Sequence, residues 1–147
     1  MQPLGITGLA HVAIRARDLE PMVDFYANKL GFTEMFRLNR DDGALMLVYL
    51  RITDDQYLEL FPNGVGDGPA PGEAVGLNHF CLSVTDIEAT VAALTERGVP
   101  LSRPLITGRD NNRQVWVTDP DGNRVELMEM SPASKQAEAI ARLRAQG

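Results

Sequence analysis

The chain has a single cysteine, Cys81, so it cannot close an internal disulfide; the residue falls in an apolar, strand-like run where a small core side chain is expected. Basic residues are also in short supply. Fourteen Lys and Arg against twenty Asp and Glu leave a formal charge of -6, and they are scattered without a run or stripe that would neutralise phosphates. Nucleic acid is therefore not an expected partner. No segment has the apolar length of a membrane span, and MQPLGITGLAHVAIRAR lacks a basic stretch followed by an apolar core and a small-residue cleavage site. The cytoplasm is the expected location, with no membrane partner. What is present is the composition of a folded domain: 44% hydrophobic and 23% charged over 147 residues. That length suits one domain better than two independent halves, each of which would bury too little surface alone.

Histidine is the scarcest informative residue, with two in the chain, and both lie in a repeat. GLAHVAIRARDLE (8–20) returns as GLNHFCLSVTDIE (76–88) with five of thirteen positions identical, among them His11 and His79. Each copy opens with strand-like alternation and passes an aspartate into an amphipathic segment. Met22, Phe25, Tyr26 and Leu30 recur at helical spacing before Gly31. In the second copy Thr85 and Glu88 form a capping box, Ile87, Val91 and Leu94 make the buried stripe, and Gly98 ends it. Three strand-like runs follow each helix: EMFRLN, ALMLVYLR and QYLELF, then PLSR, RQVWVT and NRVELMEM. Each half therefore reads β-α-β-β-β, giving module one at about 8–62 and module two at about 76–130. A Gly- and Pro-rich linker at about 63–75 separates them, and a helical tail spans 131–147.

The repeat also carries a glutamate near its end, Glu59 in YLELF and Glu126 in RVELM. His11 to Glu59 is 48 residues and His79 to Glu126 is 47, a slip of one that is assigned to a loop. Strand alternation puts Leu58 and Leu60 in the core and turns Glu59 to the other face with Tyr57 and Phe61; Val125 and Leu127 flank Glu126 in the same way. Taken singly, each glutamate reads as a solvent-facing residue of a one-sided sheet. Taken together, two His and two Glu at equivalent places in duplicated halves would converge about a pseudo-two-fold axis. Their imidazole and carboxylate donors suit one divalent ion, Ni, Zn, Co, Mn or Fe, with positions left for water or substrate.

HVAIRARDLEPMVDFYANKLGF, the YLELF glutamate, NHFCLSVTDIEATVAALTERG and DPDGNRVELMEM span residues 8 to about 130. They resemble the vicinal oxygen chelate (glyoxalase, bleomycin resistance, dioxygenase) superfamily, and within it glyoxalase I, the lactoylglutathione lyases. The resemblance implies an α+β fold over 1–147, in which two tandem βαβββ modules form a curved, cup-like mixed β-sheet with helices outside. It implies metal ligands at His11, Glu59, His79 and Glu126, glutathione contacts at Arg15 and Asn63, and a homodimer with sites at the subunit interface. Arg15 lies four residues beyond His11, which on a strand puts both on one face.

In the loop before the penultimate strand, where glyoxalase I enzymes usually carry a lysine, this chain has Arg109, Asp110 and Arg113, and Arg113 is the candidate substrate contact there. Methylmalonyl-CoA epimerases typically have a glutamine at the place of Glu59. Fosfomycin-resistance enzymes and extradiol dioxygenases use three protein ligands, and bleomycin-binding relatives lack the metal set. The implied activity is that of a metal-dependent lyase or isomerase, working through an enediolate on a small carbonyl substrate such as a 2-oxoaldehyde–glutathione hemithioacetal. Glu126 is the expected base, with Glu59 serving the opposite face. The alternatives are an epimerase or isomerase of an acyl-CoA thioester or ketosugar, and a small-molecule binding protein without chemistry.

Overall fold

Eight strands and three α-helices form among the described residues, which in this computed structural model are 4–69 and 73–146. Positions 70–72 of the expected linker lie outside them. The chain divides into two compact units, Met1–Asp67 and Gly68–Gly147.

In the first unit β1 (His11–Arg15) leads into α1 (Leu19–Val23), which continues as a π-helical segment over Asp24–Lys29. The strands β2 (Thr33–Asn39), β3 (Leu45–Arg51) and β4 (Tyr57–Phe61) complete a sheet of order β1-β4-β3-β2, with β1 parallel to β4 and the other pairs antiparallel. In the second unit β5 (Phe80–Ser83) and α2 (Ile87–Glu96) are followed by β6 (Arg103–Thr107), β7 (Arg113–Thr118) and β8 (Arg124–Glu129). Their order is β5-β8-β7-β6, with the same pairing directions. The α+β class and the repeated βαβββ order are thus as the sequence pattern implies, with the strands in two four-stranded mixed sheets, one per unit.

Each sheet buries one face. In the first unit Ile14, Val48, Leu50, Leu58 and Leu60 are buried, as are the helical residues Leu19, Met22, Val23, Phe25 and Tyr26. In the second unit Val115, Val117, Val125 and Leu127 lie under α2, which buries Ile87 and Leu94. Burial of one face is what period-two alternation requires, and it turns the intervening residues to the opposite face.

The one-residue slip between the halves lies in a helix and not in a loop. Asp18 to Gly31 is 13 residues whereas Asp86 to Gly98 is 12, while His to Asp is 7 residues and Gly to Glu is 28 in both copies. The extra residue is taken up by the π-helical turn, whose wider spacing shows in Leu30 N donating to Phe25 O at 2.9 Å. A second difference concerns the cap of α2. Asp86, and not Thr85, is the N-cap, its Oδ1 accepting from Ala89 N at 2.9 Å.

The tail forms α3 (Lys135–Arg144), which buries no residue of its own but is tied to the 108–112 turn at its start. Lys135 N donates to Asp110 O at 2.9 Å, and Asn112, fully buried, donates from Nδ2 to Gln136 Oε1 at 2.9 Å and to Asp110 Oδ2 at 2.8 Å. Among the described residues no helix is long and apolar enough to cross a membrane.

Candidate metal centre

In the first unit the face away from the core carries His11, Ala13 and Arg15 on β1, and Tyr57, Glu59 and Phe61 on β4, in register. Tyr49 and Arg51 of β3 face Glu59 and Tyr57 across the antiparallel pair. His11 Nε2 lies 3.7 Å from Glu59 Oε2. The carboxylate is not a solvent-facing group: Glu59 retains only 8% of its surface. Its register partner on β3 is Tyr49, whose phenol is held above its ordinary pKa by interaction with the Glu59 carboxylate and by burial. Aromatic rings hold this part of the sheet, with Phe36 and Tyr49 at 4.8 Å and Tyr49 and Tyr57 at 6.1 Å between centroids.

The second unit repeats the arrangement. His79, just ahead of β5, places Nε2 3.0 Å from Oε2 of Glu126, which also retains 8% of its surface. Cys81 on β5 and Trp116 on β7 are the register partners of Glu126. The ring of Trp116 meets that of His79 edge-on at 4.6 Å, and the Arg103 guanidinium lies over the Trp116 ring at 5.5 Å. Cys81 is therefore not a core residue. It lies exposed on the glutamate's face, and desolvation of its thiol, followed by the Glu126 charge, pushes its pKa up to about 12.

The tautomer of His79 bears on what this pair can hold. An amide oxygen only accepts, so the contact of 2.8 Å between His79 Nδ1 and Asn78 Oδ1 puts the ring proton on Nδ1. In the neutral ring Nε2 then points a lone pair at a carboxylate oxygen. Two acceptors at that separation need a cation between them, either a proton or a metal ion. An imidazole oriented by a hydrogen bond from its far nitrogen is also the usual second layer around a metal-bound histidine. The residues present therefore fit a divalent ion of the N/O-binding kind. Within each unit they supply two donors, and among the described residues no group of three or more His, Cys, Asp or Glu side chains is gathered around one point.

The other candidates divide. Arg15 shares the His11 face; its Nη1 donates to Pro62 O at 2.9 Å and its guanidinium lies 5.3 Å from the Phe61 ring. Asn63 follows directly, exposed and in the left-handed region at φ 62°. Its position is set by Gly64, whose amide donates to Ala16 O at 2.7 Å; a Cβ there would come within 3.0 Å of the Ala16 backbone. Arg113 is not brought to the glutamate's face. It has the parity of Val115 and Val117 on β7, and its Nη2 is paired with Glu88 Oε1 of α2 at 2.6 Å. That parity is readable in RQVWVT, and it is the signal that separates Arg113 from the site. The same parity puts Trp116, which sequence reasoning did not single out, on the glutamate's face, whereas Tyr49 is placed there by the β3–β4 register. An open hollow of about 630 Å³ near the start of β1, lined by Thr7–Ala10, Thr53, Asp55 and Gln56, includes neither His11 nor Glu59.

Comparison with known proteins agrees with the fold. Residues 8–127 match the model of the Glyoxalase/Bleomycin resistance protein/Dioxygenase superfamily. The chain is 36% identical to the uncharacterized protein YaeR of Escherichia coli over 133 residues, 86% of this chain and 98% of the relative. It is 27% identical to a lactoylglutathione lyase of Pseudomonas aeruginosa, with 89% of each chain covered. Among solved structures, a glyoxalase family protein from Enterococcus faecalis superposes with a TM-score of 0.72 at 31% identity, covering 83% of this chain and 97% of that one. With a family match that takes in most of the chain, both His-Glu pairs and both sheets, the protein belongs to the Glyoxalase/Bleomycin resistance protein/Dioxygenase superfamily.

Proposed function

We propose that His11, Glu59, His79 and Glu126 together hold one divalent metal ion, and that the protein is a metal-dependent lyase or isomerase of the glyoxalase I type. The observation that carries this reading is the doubled pair, in which each unit sets one imidazole nitrogen against one buried carboxylate on the same sheet face. A duplicated fold that keeps the same costly buried carboxylate twice has a use for a cation at that place. When bound, the ion (Ni, Zn, Co, Mn or Fe) would stabilise negative charge building on two adjacent substrate oxygens.

The chain's own residues then supply the proton transfer. Glu126 takes the proton from C1 of a 2-oxoaldehyde–glutathione hemithioacetal and returns it at C2, giving a 2-hydroxyacyl thioester; Glu59 serves the opposite face. Arg15, at the end of the His11 row, and Asn63 beside it would meet a carboxylate of the substrate's glutathione arm. The single vicinal-oxygen-chelate domain would act in the cytoplasm as a homodimer with its four-ligand sites at the subunit interface. The relative in Pseudomonas aeruginosa that bears the lactoylglutathione lyase name supports this activity by similarity.

A second reading, an epimerase or isomerase of an acyl-CoA thioester or a ketosugar, draws support from the pairing of Arg113 with Glu88, which leaves that arginine off the substrate face. Bleomycin resistance proteins also stand in the superfamily's name, so a binding protein is the alternative of another class. One assay separates the first two: methylglyoxal and glutathione with Ni, Co or Zn, followed by thioester absorbance. Thioester formation supports the glyoxalase reading, and its absence with a metal-loaded protein moves the choice to the epimerase. Elemental analysis showing no metal, together with no uptake from solution, would leave the binding protein.

A further inference from the structure

The two histidines are held differently. His11 is the first residue of β1 and pairs in register with Tyr57, whose amide donates to the preceding carbonyl, Ala10 O, at 2.9 Å. In the second unit the ladder starts one residue later, at Phe80 and Val125, so Asn78 and His79 lie ahead of it. Arg124, which like Tyr57 stands two residues before the glutamate, supplies the tie there from its side chain. Its Nε and Nη2 both donate to Asn78 O, at 3.1 and 2.8 Å. Asn78 Oδ1 in turn meets His79 Nδ1 at 2.8 Å, and the Trp116 ring meets the imidazole edge-on at 4.6 Å. The first unit has Ala10 at the place of Asn78, and a methyl group accepts nothing. Among the described residues His11 Nδ1 has no hydrogen-bond partner, and its Nε2 stands 3.7 Å from the carboxylate, against 3.0 Å for His79.

We propose that Asn78, held at its carbonyl by Arg124, is a positioning residue that fixes His79 in the Nδ1–H tautomer, so that the second unit's pair is set before an ion arrives and the first unit's is set by the ion. The inference rests on the reading above that the four residues serve one divalent ion. A histidine without a partner on its far nitrogen must settle both tautomer and ring rotation as it binds a metal. One whose Nδ1–H is already bonded keeps Nε2 bare and aimed. The guanidinium acts one step further back, because its rigid fork holds the main chain from which the Asn78 side chain reaches.

The test uses the full chain. In the chelated protein at about pH 8, where free imidazole is neutral, nitrogen NMR of the rings should show His79 protonated at Nδ1 and His11 not held in that form. Calorimetric titration with Co²⁺ alone, with the visible bands of the bound ion recorded in parallel, should find Asn78→Ala weaker by about ten- to a hundredfold with shifted bands, the usual scale for losing the outer partner of a ligand histidine. Asn78→Asp, whose carboxylate accepts the same proton, should recover the affinity to within about threefold. Arg124→Met keeps the stem and removes the fork; it should weaken binding about threefold in the unaltered chain and add nothing in an Asn78→Ala background, because it acts through Asn78. Wild-type affinity in Asn78→Ala, an Asn78→Asp variant no better than Asn78→Ala, or His79 protonated at Nε2 in the chelated protein overturns the assignment of Asn78 while leaving the metal site standing. An Arg124→Met loss that persists in full without Asn78 overturns the role given to Arg124. Failure of the unaltered chain to take up Co²⁺, Ni²⁺ or Zn²⁺ overturns both the metal-site reading and this one.

Discussion

His79 Nε2 and Glu126 Oε2 stand 3.0 Å apart, and the ring's other nitrogen is already engaged by Asn78. The orientation is fixed before anything binds, so a cation entering here meets a donor pair that pays little to reorganise.

Metal binding should therefore show as stability. A ligand that binds only the folded state at about one hundred times its Kd adds about 2.7 kcal/mol. For a domain of this size that is a rise in melting temperature of roughly 5–10 °C. Thermal scans with Zn²⁺ or Ni²⁺ and with excess chelator check it. His79→Ala and His11→Ala should each abolish most of the rise, while changing the chelated protein's melting point by a few degrees at most.

Glu126→Gln is expected to lower turnover by roughly 10²–10⁴-fold, the usual contribution of a general base, because the amide keeps the shape of the side chain but does not accept the proton. Much of the metal should remain, since the two histidines and Glu59 are untouched. The measurement is kcat in the thioester assay beside the metal content of the same preparation. Unimpaired turnover would remove Glu126 from the role of base.

Gly64→Ala should be costly out of proportion to its size. The added Cβ meets the carbonyl carbon and oxygen of Ala16 at 3.0 Å, backbone atoms that β1 and the loop after β4 hold together through Ala16 N to Phe61 O and Gly64 N to Ala16 O, both 2.7 Å. Overpacking of this kind costs about 1–3 kcal/mol. Denaturant titration should find a loss in that range. If Asn63 and Arg15 contact substrate, KM should also rise, since both side chains stand on the displaced segment.

Much of this geometry is legible in the sequence. His11, His79, Glu59 and Glu126 stood out because a repeat doubles every signal, and period-two alternation around YLELF and RVELM correctly turned both glutamates away from the core. Other features were hidden for physical reasons. The π-helical turn keeps apolar residues at 22, 25, 26 and 30, a spacing that an ordinary helix also gives, so the apolar pattern does not show the extra residue and only the Asp-to-Gly count, 13 against 12, marks it. Asp86 caps α2 in place of Thr85 because adjacent residues both carry a side-chain acceptor, and only backbone geometry chooses between them. Nearness to the loop before β7 suggests a substrate contact for Arg113, but its parity with Val115 and Val117 puts it on the helix side, where it pairs with Glu88. Tyr49 could not be recognised as the neighbour of Glu59 until the β3–β4 register was known.

The tie between α3 and the 108–112 turn carries a pH dependence whose sign can be worked out. The Asp110 carboxylate accepts from Gln136 Nε2 at 3.0 Å, from Asn112 N at 3.2 Å and from Asn112 Nδ2 at 2.8 Å, and these bonds hold its pKa below the ordinary carboxylate value. A lowered folded pKa means that the unfolded chain binds the proton first as acid is added. The contribution is thus fully present above the unfolded value of about 3.9 and is lost as pH falls through the lower folded value. Asp110→Asn removes the charge and keeps the shape. After discounting for solvent screening, it should cost about 1 kcal/mol at pH 7, a fall of roughly 2–4 °C in melting temperature. Melting curves of the two proteins should run parallel from pH 7 to about 5 and converge below about pH 4. A gap that stays constant down to pH 2.5 would show that the Asp110 charge does not contribute to holding the helix.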